Sequence, residues 1–595
     1  MTSRVSFLLS LVSLPFLLLA SPSSPGGQSP VGASFEPSRF PAHAATNVNP
    51  DTRLVLTFPA PPTLHNAGEI RIYDASNDEL VDLLDMSIPP GPKNTRTPAP
   101  YDSLVYDHIP NKLYTVREPD TNRTHRYQIN YIGGETEADA YHFYPVLING
   151  NTVTIHPHNN RLAYGKRYYV QIDPGVFSLD GEPFAGYTGS SAWTFTTKGA
   201  PPAATATALV VAADGTGDFN TVQGALDFIP DEHPGRITVF VRNGRYEEIV
   251  YFRNKENVTL IGEDREGVLI CYANNGVFNN SPHQRLPTVS YHNTRSVFAL
   301  TGSKGIHIAN MTIRSLGEQP AQAEALLVKG DELIVSHVNI EGSGDAPQAT
   351  GNIYITDSKI QGFGDNVLGY GAVFFRRCDF VSTYGPHMWI RNSDANHGNV
   401  CIDCTFRTIG EVETTIARTN DNGGSGFPYC EAVLINCAME GIRAEGWSVK
   451  GEGITHIHYW EYNSVSLDDG QPIDMSERNP IARQLTMEAD AELIRQYSDP
   501  AFVLEGWQPA MAPFITAQPQ SVRTRQGEAV TLAVQCASIE APTYQWFKEE
   551  QPLPGATAAE LHIAKPRRRD EASYFVLISN GEGSVRSEAA VLRVE

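Results

Sequence analysis

Across residues 333–369, apolar and polar positions alternate in short bursts, each closed by the same kind of phrase. Leu333-Ile334-Val335 with Val338 leads into Ile340-Glu341-Gly342-Ser343-Gly344-Asp345. Ile353 and Ile355 lead into Ile360-Gln361-Gly362-Phe363-Gly364-Asp365. The two aspartates are 20 residues apart, as are the two isoleucines. Similar bursts precede this stretch (Ile237-Thr238-Val239-Phe240-Val241, Val258-Thr259-Leu260-Ile261, Gly305-Ile306-His307-Ile308) and follow it. Ile313, Ile340, Ile360, Phe380, Phe406 and Met439 take equivalent places, at spacings of 27, 20, 20, 26 and 33. Alternation within a burst predicts a strand, and a repeat near 20 residues predicts one coil of a parallel β-solenoid. The longer spacings predict insertions at the corners, where a cleft is built. Val222, Leu226 and Ile229 share one face before Pro230, which predicts a helix closing the open end of the first coil.

On either side the pattern changes. Residues 34–198 alternate with period two in Arg53-Leu54-Val55-Leu56-Thr57-Phe58, Glu69-Ile70-Arg71-Ile72-Tyr73, Tyr168-Tyr169-Val170-Gln171-Ile172 and Trp193-Thr194-Phe195, which predicts a β-sandwich. This stretch resembles the Ig-like modules of bacterial surface proteins. Residues 101–126, polar and proline-rich, are expected to form a long loop. Residues 199–208 read as a linker, and the solenoid is expected over 209–509. Residues 514–595 show immunoglobulin-like spacing of Cys536, Trp546 and Tyr574, the last where such a sandwich has its corner tyrosine. Val576 replaces the second cysteine, so Cys536 is expected as an unpaired core thiol. The expected fold class is therefore all-β: a right-handed parallel β-helix flanked by two Ig-like β-sandwiches.

Composition narrows the class. The chain has 595 residues, too many for one core. Its net charge of −22 argues against a general nucleic-acid binder, yet leaves room for an acidic polysaccharide in a locally basic cleft. Residues 1–20 read as a secretory signal, with Arg4 before an apolar run too short and interrupted to span a membrane, and residues 21–33 as a flexible tether. The expected product is secreted, periplasmic or held at the cell surface, without a membrane span, and monomeric. The seven cysteines are sparse and odd in number. Cys401-x-x-Cys404 lies inside a strand-like phrase that recurs around Cys437, so these residues are expected as buried rungs and not as a metal site.

The duplicated phrase carries the candidate chemistry. Equivalent positions in successive coils lie about 4.8 Å apart. Asp345 and Asp365 should therefore stack at one corner. Two such carboxylates resist ionising together, so one keeps its proton while the other stays charged, a general acid beside a nucleophile.

The middle domain resembles the pectin methylesterases, carbohydrate esterases of the right-handed β-helix class. Ala212-Ala213-Asp214-Gly215-Thr216-Gly217-Asp218-Phe219 is similar to their opening motif, and Gly244-Arg245-Tyr246-Glu247-Glu248 to a following element. Gln322-Ala323-Glu324-Ala325-Leu326 is similar to their Gln-Ala-Val-Ala-Leu. Asp345 falls at the Asp of Gln-Asp-Thr-Leu, Asp365-Asn366-Val367-Leu368-Gly369 at Asp-Phe-Ile-Phe-Gly, and Ile416-Ala417-Arg418 at Leu-Gly-Arg. Glu445-Gly446-Trp447 and Trp460-Glu461-Tyr462-Asn463 match the closing part.

The resemblance implies hydrolysis of pectin methyl esters, with Asp365 as nucleophile, Asp345 as general acid and then base, Gln322 as oxyanion donor, and Arg418 paired with Asp365. It implies no metal and no organic cofactor, and pectin or a related cell-wall polysaccharide as partner. Three departures bear on specificity. Gly344 replaces the glutamine before the acid, so Gln348 or a backbone N–H is expected to replace that donor. Thr419-Asn420 replaces Pro-Trp, so Trp389, Trp447 or Tyr370 is expected to supply the sugar platform. Both phenylalanines of Asp-Phe-Ile-Phe-Gly are absent. The other readings are an esterase for a different acyl ester or thioester, and a catalytically silent solenoid that binds polysaccharide.

Overall fold

The computed structural model describes residues 35–91, 105–109, 113–117, 124–134, 139–231, 233, 235–276, 278–279, 295–317, 323–419, 427–449 and 456–595. Gln322 and the stretches read as secretory signal and tether lie outside the described residues.

The middle of the chain winds as a parallel β-helix. One wall holds the strands Val250–Arg253, Phe298–Lys304, Leu326–Asp331, Pro347–Thr350, Val367–Gly369, Met388–Ile390, Ala417–Arg418 and Trp447–Ser448, each paired in parallel with the next. A larger parallel series of strands builds the remaining walls. Ile313 pairs with Ile340, Ile340 with Ile360, Ile360 with Phe380, Phe380 with Phe406 and Phe406 with Met439. These are the residues aligned from sequence spacing alone. All six are buried, and burial of each such side chain stabilises the fold by about 1.5–3 kcal/mol. The rings of Phe380 and Phe406 stack 4.6 Å apart.

In seven successive coils of this series the backbone turns through one left-handed residue: Asn310, His337, Asp357, Arg377, Asp403, Asn436 and Asn463, with φ between 52° and 57°. Asn and Asp tolerate this conformation better than most residues, which accounts for their majority here. Cys378, Cys404 and Cys437 follow three of these corners as buried thiols without disulfides.

The helix Val222–Phe228 lies at the first coil and buries Val222, Ala225 and Leu226 in the solenoid core. Its N-terminus is held by three side chains, of which the Glu248 carboxylate accepts from the N–H groups of Val222 and Gln223 at 2.9 and 3.2 Å. Thr221 Oγ1 accepts from Gly224 N at 3.0 Å. Asp51 of the preceding sandwich accepts from the N–H groups of Asn220 and Thr221 at 2.9 and 2.8 Å. Asn49 and Lys198 of that sandwich add hydrogen bonds to Gly217 O.

The sandwich itself packs Leu54, Leu56, Ile70, Ile72, Val170, Trp193 and Phe195 between mainly antiparallel sheets. The expected loop over 101–126 is corrected. Strands Val105–Ile109, Leu113–Arg117 and Thr124–Tyr131 run there as an antiparallel meander with Ala140–His142. Polar, proline-rich composition hid them because an antiparallel sheet needs an apolar pattern only on a face it buries.

After the last coils, helices Met487–Tyr497 and Pro500–Val503 pack on the outer face of the solenoid, where Ile494, Tyr497 and Val503 join Phe374, Val400 and Val433. The C-terminal sandwich places Trp546 opposite Val576, both fully buried, and Tyr574 Oη donates to Asp570 O at 2.7 Å. Cys536 is unpaired, but it is only half-buried beside the Tyr544 hydroxyl, so the expected core thiol is corrected to an edge position. Among the described residues no helix is long and apolar enough to cross a membrane.

Candidate active site

The eight-strand wall aligns the site. Its register runs Leu327, Gln348, Leu368, Trp389, Arg418, one residue per coil. In a parallel sheet residues in one such rung share a face. Arg418 therefore projects on the same side as Trp389 directly below it and Leu368 below that.

Asp345 and Asp365 stand just before the strands Pro347–Thr350 and Val367–Gly369, at matching places in adjacent coils. Asp365 has a left-handed backbone (φ 49°), and its N–H donates to Pro386 O at 2.6 Å. This conformation is uncommon for a residue with a side chain and marks a constrained turn. The Asp365 carboxylate accepts from Arg418 Nε at 2.7 Å and Nη2 at 2.5 Å, a bidentate pair.

Asp345 is buried, with 7% of its surface exposed. Burial pushes its carboxyl well above the usual carboxylate range. The Glu324 and Asp365 carboxylates push the same way, while Arg295 and Arg391 pull against them. Arg295 Nη2 lies 3.7 Å from Asp345 Oδ2, beyond hydrogen-bonding distance. Asp345, its carboxyl pushed up by burial, thus stands one coil from a carboxylate clamped by arginine.

The aromatic and amide candidates divide. Trp389 has two guanidiniums against its ring, Arg391 Cζ at 3.4 Å and Arg418 Cζ at 3.9 Å from the ring centre. Tyr370 is 49% exposed and shares Arg391, whose Cζ lies 5.8 Å from its ring. Gln348 is almost wholly buried on the cleft-side rung, and its Oε1 makes no hydrogen bond among the described residues.

Trp447 is corrected. It is fully buried, stacks on Tyr459 at 4.5 Å and donates from Nε1 to Glu461 at 2.9 Å. It belongs to the closing coil's core and offers no face to a sugar. Adjacency to a motif glycine gave no sign of which way its strand turns the ring.

Three features escaped the sequence reading. Arg391 bridges Tyr370 and Trp389. The Glu324 carboxylate, fully buried, is gripped by Arg295. Phe363 stacks on the exposed Tyr384 at 4.9 Å, two residues before Asp365. Only Glu324 left a trace, as an acid where the similar element has valine. Among the described residues no group of three or more His, Cys, Asp or Glu side chains is placed to hold a metal ion.

Residues 208–478 match the Pectinesterase family, residues 512–580 the Immunoglobulin domain family and residues 118–197 the Bacterial Ig-like domain family. A probable pectinesterase/pectinesterase inhibitor 42 of Arabidopsis thaliana is 28% identical over 271 residues, which cover 43% of this chain and 49% of that protein. Probable pectinesterase 8 of the same plant is 27% identical over 323 residues, covering 50% and 76%. The chain thus spans about half the length of the first of these curated relatives. Among solved structures, pectin methylesterase from carrot aligns with 20% identity and a TM-score of 0.42, covering 50% of this chain and 93% of that one. Residues 208–478 of this chain are a pectinesterase-family domain, flanked by Ig-like domains.

Proposed function

We propose that the protein hydrolyses methyl esters of pectin, releasing methanol and leaving free galacturonate carboxylates. The observation that carries this reading is the unequal environment of two stacked carboxylates: Asp365 held bidentately by Arg418, and Asp345 buried and driven toward its protonated form.

In the first half-reaction the Asp365 carboxylate attacks the ester carbonyl carbon, and the carbonyl electron pair moves onto oxygen. Collapse of that oxyanion expels the methoxy oxygen, which takes the proton of Asp345 and leaves as methanol. An acyl-enzyme anhydride on Asp365 remains. In the second half-reaction Asp345, now a carboxylate, takes a proton from water as its oxygen attacks the same carbon. Collapse of this second tetrahedral intermediate breaks the bond to Asp365, which leaves as its carboxylate; the sugar is freed as the carboxylic acid, and Asp345 is again an acid. One ester and one water become one acid and one methanol. The oxyanion needs donors. Gln322 is assigned this part by its place in the motif, with Gln348 the amide on the adjoining rung. Tyr370 and Trp389 are assigned to contact with the sugar chain. No step calls for a metal or an organic cofactor.

The division into a sandwich over 34–198, a catalytic solenoid over 209–509 and a second sandwich over 514–595 belongs to the same proposal, as does export as a monomer. The sandwiches then serve as spacers or carbohydrate-binding modules.

The test is methanol release from highly methylated pectin by the wild-type protein and Asp365→Asn. Release by the wild type alone is expected. Equal release by both would remove Asp365 as nucleophile. Binding of pectin without release by either would turn the reading to a silent polysaccharide-binding solenoid.

A further inference from the structure

Extending the register of the eight-strand wall back two residues puts three carboxylates, not two, at one corner. Leu326 pairs with Pro347 and Gln348 with Leu368, so Glu324, Asp345 and Asp365 occupy the same place in three successive coils. An arginine closes each end of this column. Arg418 grips Asp365 with two nitrogens. Arg295 Nε lies 2.9 and 2.7 Å from the two oxygens of Glu324, and its Nη2 adds a further contact to Oε1. The middle carboxyl, Asp345, receives neither fork. Its nearest guanidinium nitrogen, on Arg295, is 3.7 Å away.

The column therefore holds two complete guanidinium–carboxylate pairs with a third carboxyl between them. If Asp345 also ionised, a buried negative charge would face a negative neighbour above and another below, in a place of low effective dielectric. Of the three, the middle carboxyl is the one for which a proton costs least.

We propose that Glu324 is a positioning residue for this hydrolysis: by occupying Arg295 it keeps that guanidinium from pairing with Asp345, so that the Asp345 carboxyl retains its proton for the departing alcohol. The inference rests on the esterase reading for its consequence, though not for its geometry. The charged and titratable groups around Asp345 are Glu324 with Lys329 near it, Arg295, Asp365 with its partner Arg418, and Arg391. The influence of Glu324 on Asp345 is larger than that of Asp365. Without Glu324, Arg295 is released toward Asp345, and the acid becomes a second clamped carboxylate.

The experiment compares the pH profile of kcat/KM for methanol release between the full-length wild type and Glu324→Gln, which keeps the size of the side chain but loses the charge and the second acceptor oxygen that hold Arg295. The acid limb is expected to stay. The alkaline limb, set by loss of the Asp345 proton, is expected to move down by about one pH unit or more, with activity between the two limbs retained. A role in packing alone would lower the rate by one factor at every pH and leave both limbs in place, and that result overturns the proposal. A second measurement does not depend on turnover: infrared titration of the protonated-carboxyl band that is lost in Asp345→Asn. In the wild type this band should persist well above the ordinary carboxylate range, and it should shift down in Glu324→Gln. Should Glu324→Gln fail to fold, the wild-type band alone decides, and a band that titrates in the ordinary range overturns the proposal. A persistent, Glu324-dependent band in a protein that hydrolyses no methyl ester would retain the coupling and refute the esterase reading instead.

Discussion

Arg418 lies 53 residues beyond Asp365 in the chain, yet its strand is only two rungs away, and its guanidinium crosses the face of Trp389 to clamp the Asp365 carboxylate. Distance along the chain has become vertical distance in the sheet, so each coil can supply one group to the same place. Arg418→Lys retains a charge but loses the fork, and is expected to lower kcat/KM about 10–100-fold, with Arg418→Ala lower still. Steady-state methanol release at saturating and limiting pectin measures both. Unimpaired kcat in Arg418→Ala would show that the pair is only structural.

Tyr370 and Tyr384 are exposed rings on either side of the strand that follows Asp365, and Tyr384 is backed by Phe363. Rings so placed suit the apolar faces of sugar residues. Tyr370→Ala and Tyr384→Ala are each expected to raise KM severalfold while kcat stays near the wild-type value, since such contacts are made equally before and during reaction. A fall in kcat with KM unchanged would place these rings in the chemical step.

Trp447 behaves differently because it is core. Trp447→Ala removes a fully buried ring and the donor to Glu461, and is expected to cost about 3–5 kcal/mol of stability in denaturant titration. Activity at low temperature, where the variant remains folded, should be largely kept. Loss of pectin affinity by a fully folded Trp447→Ala would restore it as a sugar contact.

Glu431 ties the helix Met487–Tyr497 to the solenoid. It accepts from Tyr497 Oη at 2.7 Å and pairs with His397 and His458 at 2.7 and 2.9 Å. Burial pushes its carboxyl up, but the His397, His458 and Tyr497 hydrogen bonds outweigh burial and bring it down to about 2 from an ordinary 4.5. The folded protein therefore holds this proton more weakly than the unfolded chain does. The stabilisation is complete above about pH 4.5 and is lost as pH falls toward 2. Melting temperature against pH should decline through that window in the wild type and less steeply in Glu431→Gln. Parallel curves would assign the decline to other groups.

The solenoid was legible because its signal is repetition: Ile340 and Ile360 are visibly the same position, and their pairing follows. The stacking of Asp345 and Asp365 was legible for the same reason, whereas Arg418 was reached only through its likeness to a family motif. What failed has a common physical cause. Trp447 and Cys536 were misjudged because burial is set by coils and edges distant in sequence. The strands between residues 105 and 131 are short, and the polar and proline-containing stretches between them masked their alternation. Arg391, Arg295 and the column position of Glu324 could not be found without register, since insertions change the spacing from coil to coil.

The Asp51 cap on the helix Val222–Phe228 bears on how the chain is assembled. Synthesis runs from the N-terminus, so the first sandwich can finish folding before Asn220 and Thr221 exist, and its carboxylate is waiting when they emerge. A coil of parallel sheet has no local hairpin to start it. The sandwich supplies a finished surface instead. A chain beginning at residue 208 is expected to refold more slowly and to aggregate more than the full-length protein in dilution from denaturant, and equal refolding of both would remove this role. The first module then acts as a template built into the same polypeptide: register set once at the top is copied downward, rung by rung, to the carboxylates.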